Sequence, residues 1–231
     1  MRINIPKLKK EQYKLAKKIR IKNEFEKIEL VAGVDQAFVD NKVISAIVVL
    51  NKNMKLVERK YAIVETQIPY IPGFMSYRES PAIVEAYNKL ENKPDILIID
   101  AHGILHPRKI GMASHVGILL ETPTIGVAKG LIIGDVKEDG KVYVDDEVRG
   151  QKIITKEHAK PLFVSPGHRV TLTKAVEIVK SCVIPPHKLP EPLHLAHRFA
   201  DKVREDLVVK EKKEKETSIE DNAETKKLQD K

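Results

Sequence analysis

The chain has 231 residues, which suits one domain, or one domain with an appendage, and it is long enough to bury a core without disulfide or metal staples. Its single cysteine, Cys182, excludes a disulfide framework and a multi-cysteine zinc site and favours a reducing, cytoplasmic location. No apolar run approaches the roughly 20 residues of a membrane span, and the charged amino end lacks the apolar stretch of a signal peptide, so we expect a soluble protein without a membrane partner.

Positive charge is concentrated near the amino end. The formal net charge is +8, and residues 1–30 alone carry ten basic against four acidic side chains, whereas residues 210–231 carry seven of each. A basic folded body suits a polyanion such as nucleic acid, because cationic side chains release the counterions condensed on phosphates. A solubilising surface in a lysine-rich protein accounts for the charge equally well.

The first part of the chain predicts a helix followed by an antiparallel meander. Residues 7–28 have a basic amphipathic pattern, whose apolar stripe consists of Leu8, Tyr13, Leu15, Ile19 and Phe25. Three β-branched runs with short connections follow, at residues 30–39, 42–50 and 55–66. Strands so closely spaced along the chain pair with their neighbours, so we expect a meander.

The remainder alternates helices and strands. Helical patterns lie at residues 80–90, 111–121, 171–182 and 191–206, and Ser80 and Pro81 mark the start of the first. Buried strands are predicted at residues 95–100 and 123–130. Residues 131–155 contain several glycines and are predicted to form hairpins. We therefore expect residues 1–209 to form one α/β catalytic domain. Its mixed sheet would combine the antiparallel meander with parallel strands, and helices would flank the sheet. Residues 210–231 are charged and poor in apolar residues, and we expect a disordered tail there.

Two aspartates stand where buried strands should be apolar. Asp35 interrupts the run at residues 30–39, and Asp100 closes the run at 95–100. A buried carboxylate costs several kcal/mol unless something pairs with it, and a magnesium ion is one such partner. If the two strands lie side by side, both side chains can bind one ion, with Glu79 as a third ligand. The alternative is that Asp100 merely ends a strand and that Glu79 is an ordinary first-turn acid.

Polar side chains follow two of the predicted buried strands. Residues 100–108 place His102, His106 and Arg108 just after a strand end, where sheets of this class present functional loops. A histidine near a metal transfers protons or orients a water, although most single histidines are structural. Lys129 follows the next strand, where its ammonium either offsets charge on a phosphoryl group or extends from the strand end to solvent.

A proline-rich loop separates the meander from the next helix and consists of Pro69, Tyr70, Ile71, Pro72 and Gly73. Two prolines stiffen it, and a glycine lets the backbone approach another surface closely. Tyr70 is therefore placed to act as a rigid wedge between stacked bases, as in enzymes that extrude a nucleotide. The alternative is a connection whose tyrosine packs on the core.

Seven segments carry a family resemblance in order along the chain: GVD at 33–35, PYIPG at 69–73, RE at 78–79, DAHGILHPR at 100–108, GMASHVG at 111–117, PTIGVAKG at 123–130 and SPGHR at 165–169. Over about residues 10–205 the chain resembles the endonuclease V family of deoxyinosine-specific repair nucleases, which have an RNase H-like fold. The resemblance implies a DNA repair endonuclease that uses Mg²⁺, with Mn²⁺ as a substitute. The implied cut is at the second phosphodiester bond 3′ to deoxyinosine and leaves 3′-hydroxyl and 5′-phosphate ends.

The resemblance also implies roles for individual residues. The implied catalytic group is Asp35, Glu79, Asp100, His106 and Lys129, of which Asp35, Asp100 and Glu79 bind the metal. Tyr70 is the implied wedge, within the loop of Pro69, Ile71, Pro72 and Gly73, and the implied base pocket is formed by Gly73, Met75, Ala101 and Gly103. Ala101 stands where some members have glycine, and Gln36 where a small or aliphatic residue is common. Neither removes a metal ligand, so these departures bear on base selectivity.

Two other functions remain open at this point. Some family members prefer inosine in RNA, which would make the chain an inosine-specific endoribonuclease. A non-catalytic nucleic-acid-binding module of the same fold is the other alternative, although all the acidic and histidine positions are present. We expect a monomer in each case.

Overall fold

The structure is a computed structural model that describes residues 3–229, with side chains through residue 212. Within these residues the helices are α1 (Ile5–Ala16), α2 (Met75–Asn88), α3 (Met112–Leu120), α4 (Leu172–Ser181) and α5 (Glu191–Gln229). The strands are β1 (Leu30–Val39), β2 (Lys42–Asn51), β3 (Leu56–Glu65), β4 (Ile96–Ile99), β5 (Thr124–Ala128), β6 (Asp135–Val136), β7 (Lys141–Val144), β8 (Glu147–Ile153) and β9 (Leu162–His168).

All of these strands belong to one mixed sheet, in the order β3-β2-β1-β4-β5-β9-β8-β7-β6. The pairs β1–β4 and β4–β5 are parallel, and the other pairs are antiparallel. The antiparallel meander of β1, β2 and β3 and the α/β class with a mixed sheet are therefore confirmed.

Helices cover both faces of the sheet because its central strands are apolar on both sides. On β1, Val31 packs in the core shared with α4 and α5, whereas Ala32 and Val34 pack in the core shared with α2 and α3. Successive side chains of a strand point to opposite faces. Asp35 therefore lies on the face covered by α5.

The predicted amino-terminal helix is shorter than its sequence pattern, since α1 ends at Ala16 rather than near residue 28. Beyond it, the backbone bonds to the segment after β9: Arg169 N donates to Arg20 O (2.7 Å), and Glu24 N donates to Arg169 O (3.2 Å). These tertiary hydrogen bonds replace the helical ones. Tyr13 was assigned to the apolar stripe, but its side chain is 57% exposed.

The start of α2 also differs from the prediction. The helix begins at Met75 instead of Ser80, and Pro81 lies inside it rather than in its first turn. A turn in which Phe74 N donates to Ile71 O (2.9 Å) leads directly into the helix. Apolar burial of Ala82, Ile83 and Ala86 in the core shared with α3 offsets the roughly 3 kcal/mol that an interior proline costs.

Strand β9 was missed, because its sequence contains Pro166 and Gly167, which are typical of turns. It nevertheless lies between β5 and β8 near the middle of the sheet. A register irregularity between Thr124 and Ile125 on β5 lies opposite these residues and accommodates the missing proline N–H.

Helix α5 continues past residue 209, where the sequence predicts the domain to end. Lys42 on β2 forms an ion pair with Glu211 on this helix (Nζ–Oε1 2.5 Å). The boundary at 209 and the disorder of 210–231 stay predictions, and residues 230 and 231 lie outside the described residues. Across residues 3–229, none of the helices combines the length and apolar character needed to cross a bilayer.

Candidate active site

Asp35 and Asp100 lie next to each other at the centre of the sheet. Val34 on β1 is the register partner of Ile99 on β4, and Asp100 N donates to Val34 O (3.1 Å). In parallel strands, residues at the same register position point to the same face. The two carboxylates therefore lie side by side, one position beyond this pair.

Asp35 is nearly buried, with 7% of its surface exposed. Its Oδ1 accepts a hydrogen bond from Gln36 N (2.8 Å), and its Oδ2 accepts one from His197 Nδ1 (2.6 Å). Burial raises the pKa of Asp35, and the charge of Asp100 raises it further. A negative charge here is costly, and a cation between the two carboxylates would relieve that cost.

Lys129 balances part of this negative charge. It directly follows β5, and its ammonium forms an ion pair with Asp100 Oδ2. Burial acts to lower the pKa of Lys129, but Asp100 and Asp35 raise it above its ordinary value. The lysine is therefore charged and is held at the carboxylate pair, so it does not simply extend into solvent.

Glu79 faces the same region from α2. Its carboxyl group is buried, and burial together with the charge of Asp35 raises its pKa to about 7. Glu79 thus lines the same cleft as the two aspartates, and it lies beyond the first turn of α2.

A cleft of about 320 Å³ opens beside the carboxylates, large enough for one nucleobase. The three acids line one part of it, and Phe38, Tyr70, Met75 and Arg78 line another. Tyr70 is 60% exposed at this cleft, so the alternative in which it packs on the core is wrong. The Arg78 guanidinium lies over the Phe38 ring, with Cζ 5.0 Å from the centroid.

Residues 69–73, here called the wedge loop, are anchored through one carbonyl group. Gly73 O accepts hydrogen bonds from Gln12 Nε2 (2.9 Å) and Arg108 Nη2 (2.8 Å), and His106 Nε2 lies 3.2 Å from it. Gly73 has φ +78°, and a Cβ there would lie 2.8 Å from Arg108 Nη2. Only glycine meets both requirements without strain.

His106 belongs to this anchor and is not packed among the carboxylates. Arg108 N donates to its Nδ1 (3.2 Å), which leaves Nε2 to donate to Gly73 O. Burial, and then the charge of Arg108, lowers the pKa of His106 to about 4, so the ring is neutral at physiological pH. Its catalytic role stays a prediction. His102 is also buried, and burial lowers its pKa to about 4.

The four residues of the implied base pocket come from the wedge loop, the start of α2 and the loop after β4. Met75 lines the cleft, Gly73 precedes it by two residues in the wedge loop, and Ala101 directly follows Asp100. Gly103 faces β9 instead: its N–H donates to Ser165 Oγ (2.8 Å), and a Cβ would lie 2.0 Å from Pro166 O. This contact gives Gly103 a packing role, and its place in the pocket stays a prediction.

Sequence reasoning missed two side chains of α5. His197 Nδ1 contacts Asp35 at 2.6 Å, and His197 Nε2 lies 3.5 Å from Asp201 Oδ2. Their spacing of four residues puts them on one helix face, but the sequence does not show which strand that face meets. A glycine within the apolar strand β1, Gly33, was the one indication in the sequence that another segment packs closely against this strand. A Cβ at Gly33 would lie 2.0 Å from Pro192 O, so only glycine lets α5 approach β1 so closely.

The donor atoms fit a hard divalent cation. Among the described side chains, no group of three or more His, Cys, Asp or Glu residues is arranged to hold a metal ion. Magnesium, however, usually keeps several waters and takes one or two carboxylates plus a substrate phosphate. Asp35 and Asp100 supply two adjacent carboxylates, which suffices for a site that substrate completes.

The chain is similar to known proteins along most of its length. A family model described as Endonuclease V matches residues 13–198. Endonuclease V from Dictyoglomus turgidum is 39% identical over 200 residues, which cover 83% of this chain and 87% of that relative.

Two solved structures extend the likeness to three dimensions. Endonuclease V from Streptomyces avermitilis has a TM-score of 0.83 at 28% identity, over 90% of this chain and 96% of that one. Endonuclease V from Ciona intestinalis, in complex with a 24mer DNA containing an inosine followed by a ribo-adenosine, has a TM-score of 0.78 at 27% identity, over 88% of this chain and 98% of that one. The predicted RNase H-like fold is confirmed by these neighbours. With its sequence matched from residue 13 to residue 198 and its fold shared, the chain belongs to the endonuclease V family of hydrolytic endonucleases.

Proposed function

We propose that the protein is a metal-dependent DNA repair endonuclease that recognises deoxyinosine. It nicks the strand at the second phosphodiester bond 3′ to the lesion and leaves 3′-hydroxyl and 5′-phosphate ends. The observation that carries this proposal is the side-by-side pair of Asp35 and Asp100 beside a cleft that the exposed Tyr70 borders. The Ciona relative, bound to inosine-containing DNA, supports the substrate class.

Asp35 and Asp100 would hold Mg²⁺ or Mn²⁺, and Glu79, which lines the same cleft, is the third acid proposed for the metal. Such an ion, when bound, neutralises charge on the scissile phosphate and lowers the pKa of a coordinated water. Lys129 is the second source of positive charge, because its ammonium already lies at Asp100 and is within reach of a phosphate oxygen there. His197 fixes the Asp35 carboxylate by a hydrogen bond and so holds one oxygen in place.

The wedge loop and the cleft account for recognition. Tyr70 would enter the base stack and fill the space of the extruded base, at a lower cost for a mispaired inosine than for a well-paired base. Helix α2 begins at Met75 without a side-chain cap from Phe74, and Tyr77 N donates to Phe74 O, so the N–H of Met75, which lines the cleft, is the first-turn donor proposed for the base. Hypoxanthine presents a carbonyl oxygen to such donors, whereas adenine presents an amine and would leave them unpaired.

We propose that the protein acts as a monomer, because Asp35, Asp100, Lys129 and His197 meet within one copy of the fold and need no second copy to complete the cluster. We place the reaction in the cytoplasm, in keeping with the single, buried and unpaired Cys182. The base-pocket residues, like the catalytic roles of Glu79 and His106, belong to this proposal.

A nicking assay tests the proposal. A duplex with one deoxyinosine is incubated with Mg²⁺, Mn²⁺ or a chelator, the cut is mapped, and the same lesion is compared in RNA and in a DNA–RNA hybrid. We expect the Mg²⁺-dependent cut described above in DNA, and a preference for the RNA substrate would instead make the chain an endoribonuclease. Asp100→Asn should slow cleavage about 1,000-fold, the effect of losing about 4 kcal/mol of transition-state stabilisation. If this variant cut as fast as the wild type, the proposed metal site would be wrong.

A further inference from the structure

Helix α1 buries one side chain, and that side chain is polar. Within Ile5–Ala16, Gln12 is the only buried residue, and none of its surface is exposed. A buried amide is costly unless its polar atoms are hydrogen-bonded, so a helix that had only to dock on the fold would do so more cheaply with an apolar residue here. The burial of Gln12 therefore points to a role beyond docking.

Both ends of the Gln12 amide are hydrogen-bonded near the wedge loop. Its Nε2 donates to Gly73 O (2.9 Å), and its Oε1 accepts from Arg108 Nε. Arg108 in turn donates from Nη2 to the same Gly73 O (2.8 Å), and its guanidinium lies over the Phe74 ring, with Cζ 4.5 Å from the centroid. Gln12, Gly73 and Arg108 thus form a closed ring of hydrogen bonds at the end of the wedge loop.

The ring needs the chemistry of a glutamine at residue 12. Glutamine is the side chain of this length that carries both a donor and an acceptor at its end, and here the donor meets a carbonyl while the acceptor meets a guanidinium. Without the acceptor, Arg108 Nε loses the partner that fixes the plane of the guanidinium, which also donates to Gly73 O. Two of the contacts to Gly73 O therefore depend on Gln12.

We propose that Gln12 is a positioning residue, which holds the wedge loop in the conformation that places Tyr70 in the base stack. This inference rests on the proposed function, in which Tyr70 is the wedge. A turn in which Phe74 N donates to Ile71 O (2.9 Å) links the anchored Gly73 to the residue next to Tyr70, so a shift of the Gly73 carbonyl moves the wedge as well. Gln12 acts through this loop, and its effect is therefore confined to substrates whose bases must be forced apart.

Two variants of Gln12 and one control test the inference. Gln12→Met keeps the length and helix propensity of the side chain and lacks both hydrogen-bonding groups. Gln12→Glu keeps the acceptor for Arg108, beside which its carboxylate stays ionised, and lacks the donor. The control, Tyr77→Phe, removes the hydroxyl that donates to Leu8 O (3.3 Å), so that α1 loses a different contact while those of Gly73 stay intact. Far-UV circular dichroism and urea unfolding establish that each variant is folded.

The readout is the single-turnover cleavage rate at saturating enzyme, on a duplex with one deoxyinosine and on the same strand unpaired. We expect Gln12→Met to cleave the duplex about 10-fold more slowly, the scale of one lost hydrogen bond, and the single strand within about twofold of the wild-type rate. Gln12→Glu should show the same selective loss, although its pairing with Arg108 keeps α1 docked. Tyr77→Phe should keep the wild-type ratio of the two rates. A merely structural role for Gln12 would slow both substrates alike.

A double variant shows whether Gln12 acts through Tyr70. If it does, adding Gln12→Met to Tyr70→Ala should slow duplex cleavage by less than about a further twofold, because the wedge is already absent. A further loss of about 10-fold, or equal losses on duplex and single strand in Gln12→Met alone, overturns the inference while cleavage by the wild type stands. Absence of any cleavage of deoxyinosine DNA by the wild type overturns the proposed function instead.

Discussion

The hydrogen bond between His197 and Asp35 joins the last helix to the central strand at the point where the chemistry is proposed to occur. His197 Nδ1 lies 2.6 Å from Asp35 Oδ2 and orients that oxygen. The other ring nitrogen, His197 Nε2, lies 3.5 Å from Asp201 Oδ2. If Asp35 binds the metal as proposed, His197 acts through that carboxylate and is a positioning residue.

Replacement of His197 by alanine tests that role. We expect single-turnover cleavage to slow about 10- to 100-fold and the divalent-ion concentration for half-maximal rate to rise, because the Asp35 carboxylate loses its orienting partner. His197→Asn, whose amide still donates a hydrogen bond, should recover part of both effects. Alanine at His158, whose side chain is 91% exposed, is the control. An unchanged ion dependence in the His197→Ala variant would contradict the positioning role.

Tyr70 gives a second prediction at the level of one side chain. If its ring fills the gap left by an extruded base, Tyr70→Ala should slow cleavage of duplex DNA about 10-fold or more and cleavage of single-stranded DNA much less, since a single strand has no stack to hold apart. Tyr70→Phe keeps the ring and should behave like the wild type. Equal losses on the two substrates would show that Tyr70 does not act as a wedge.

Most elements of the fold were predictable from the sequence, and the exceptions share a cause. The runs that contain Asp35 and Asp100 predicted both strands and the carboxylate pair, because an acid in an apolar run is a local pattern. The end of α1 and strand β9 were not predictable, because the backbone of Arg20 and the neighbours of Pro166 are fixed by partners far away in sequence. His197 was missed for the same reason.

The contact between α5 and β1 depends on one missing side chain. A Cβ on Gly33 would lie 2.0 Å from Pro192 O, which is backbone and cannot rotate away. We expect Gly33→Ala to lower the free energy of unfolding by about 1–3 kcal/mol, the usual cost of overpacking. Because α5 carries His197, cleavage should slow as well. Gly130→Ala is the control for stability, since a Cβ there meets nothing within 4 Å. Equal urea midpoints for the two variants would rule out the close contact.

At the scale of the whole molecule, buried histidines make stability depend on pH. Burial lowers the pKa values of His102, His106 and His115 from 6.5 to about 4. Between these two values the unfolded chain binds protons that the folded protein does not. The stability that these histidines contribute is therefore fully present above about pH 6.5 and falls as the pH decreases towards 4, by up to about 1.4 kcal/mol per pH unit for each histidine. The raised pKa of Glu79 acts in the opposite direction, but it is one group against three.

Asparagine at His115 isolates one of these contributions. His115 lies in α3, and its Nδ1 is 3.0 Å from Ser76 Oγ, a contact that an asparagine amide can partly replace. Urea titrations at about pH 7.5 and pH 5 should show a smaller loss of stability on acidification for His115→Asn than for the wild type. His158→Asn should match the wild type. A pH dependence that is identical in all three proteins would mean that His115 is not held neutral by the fold.

One oxygen atom joins three distant parts of the chain, since the Gly73 carbonyl meets Gln12 from the amino-terminal helix and both His106 and Arg108 from the loop after β4. A hinge at this glycine would have to break all of these bonds at once. The loop that carries the proposed wedge, Tyr70, is therefore anchored before any substrate arrives. If the protein acts on deoxyinosine as proposed, this loop loses little conformational entropy when it meets DNA, so the search for a lesion needs no separate ordering step.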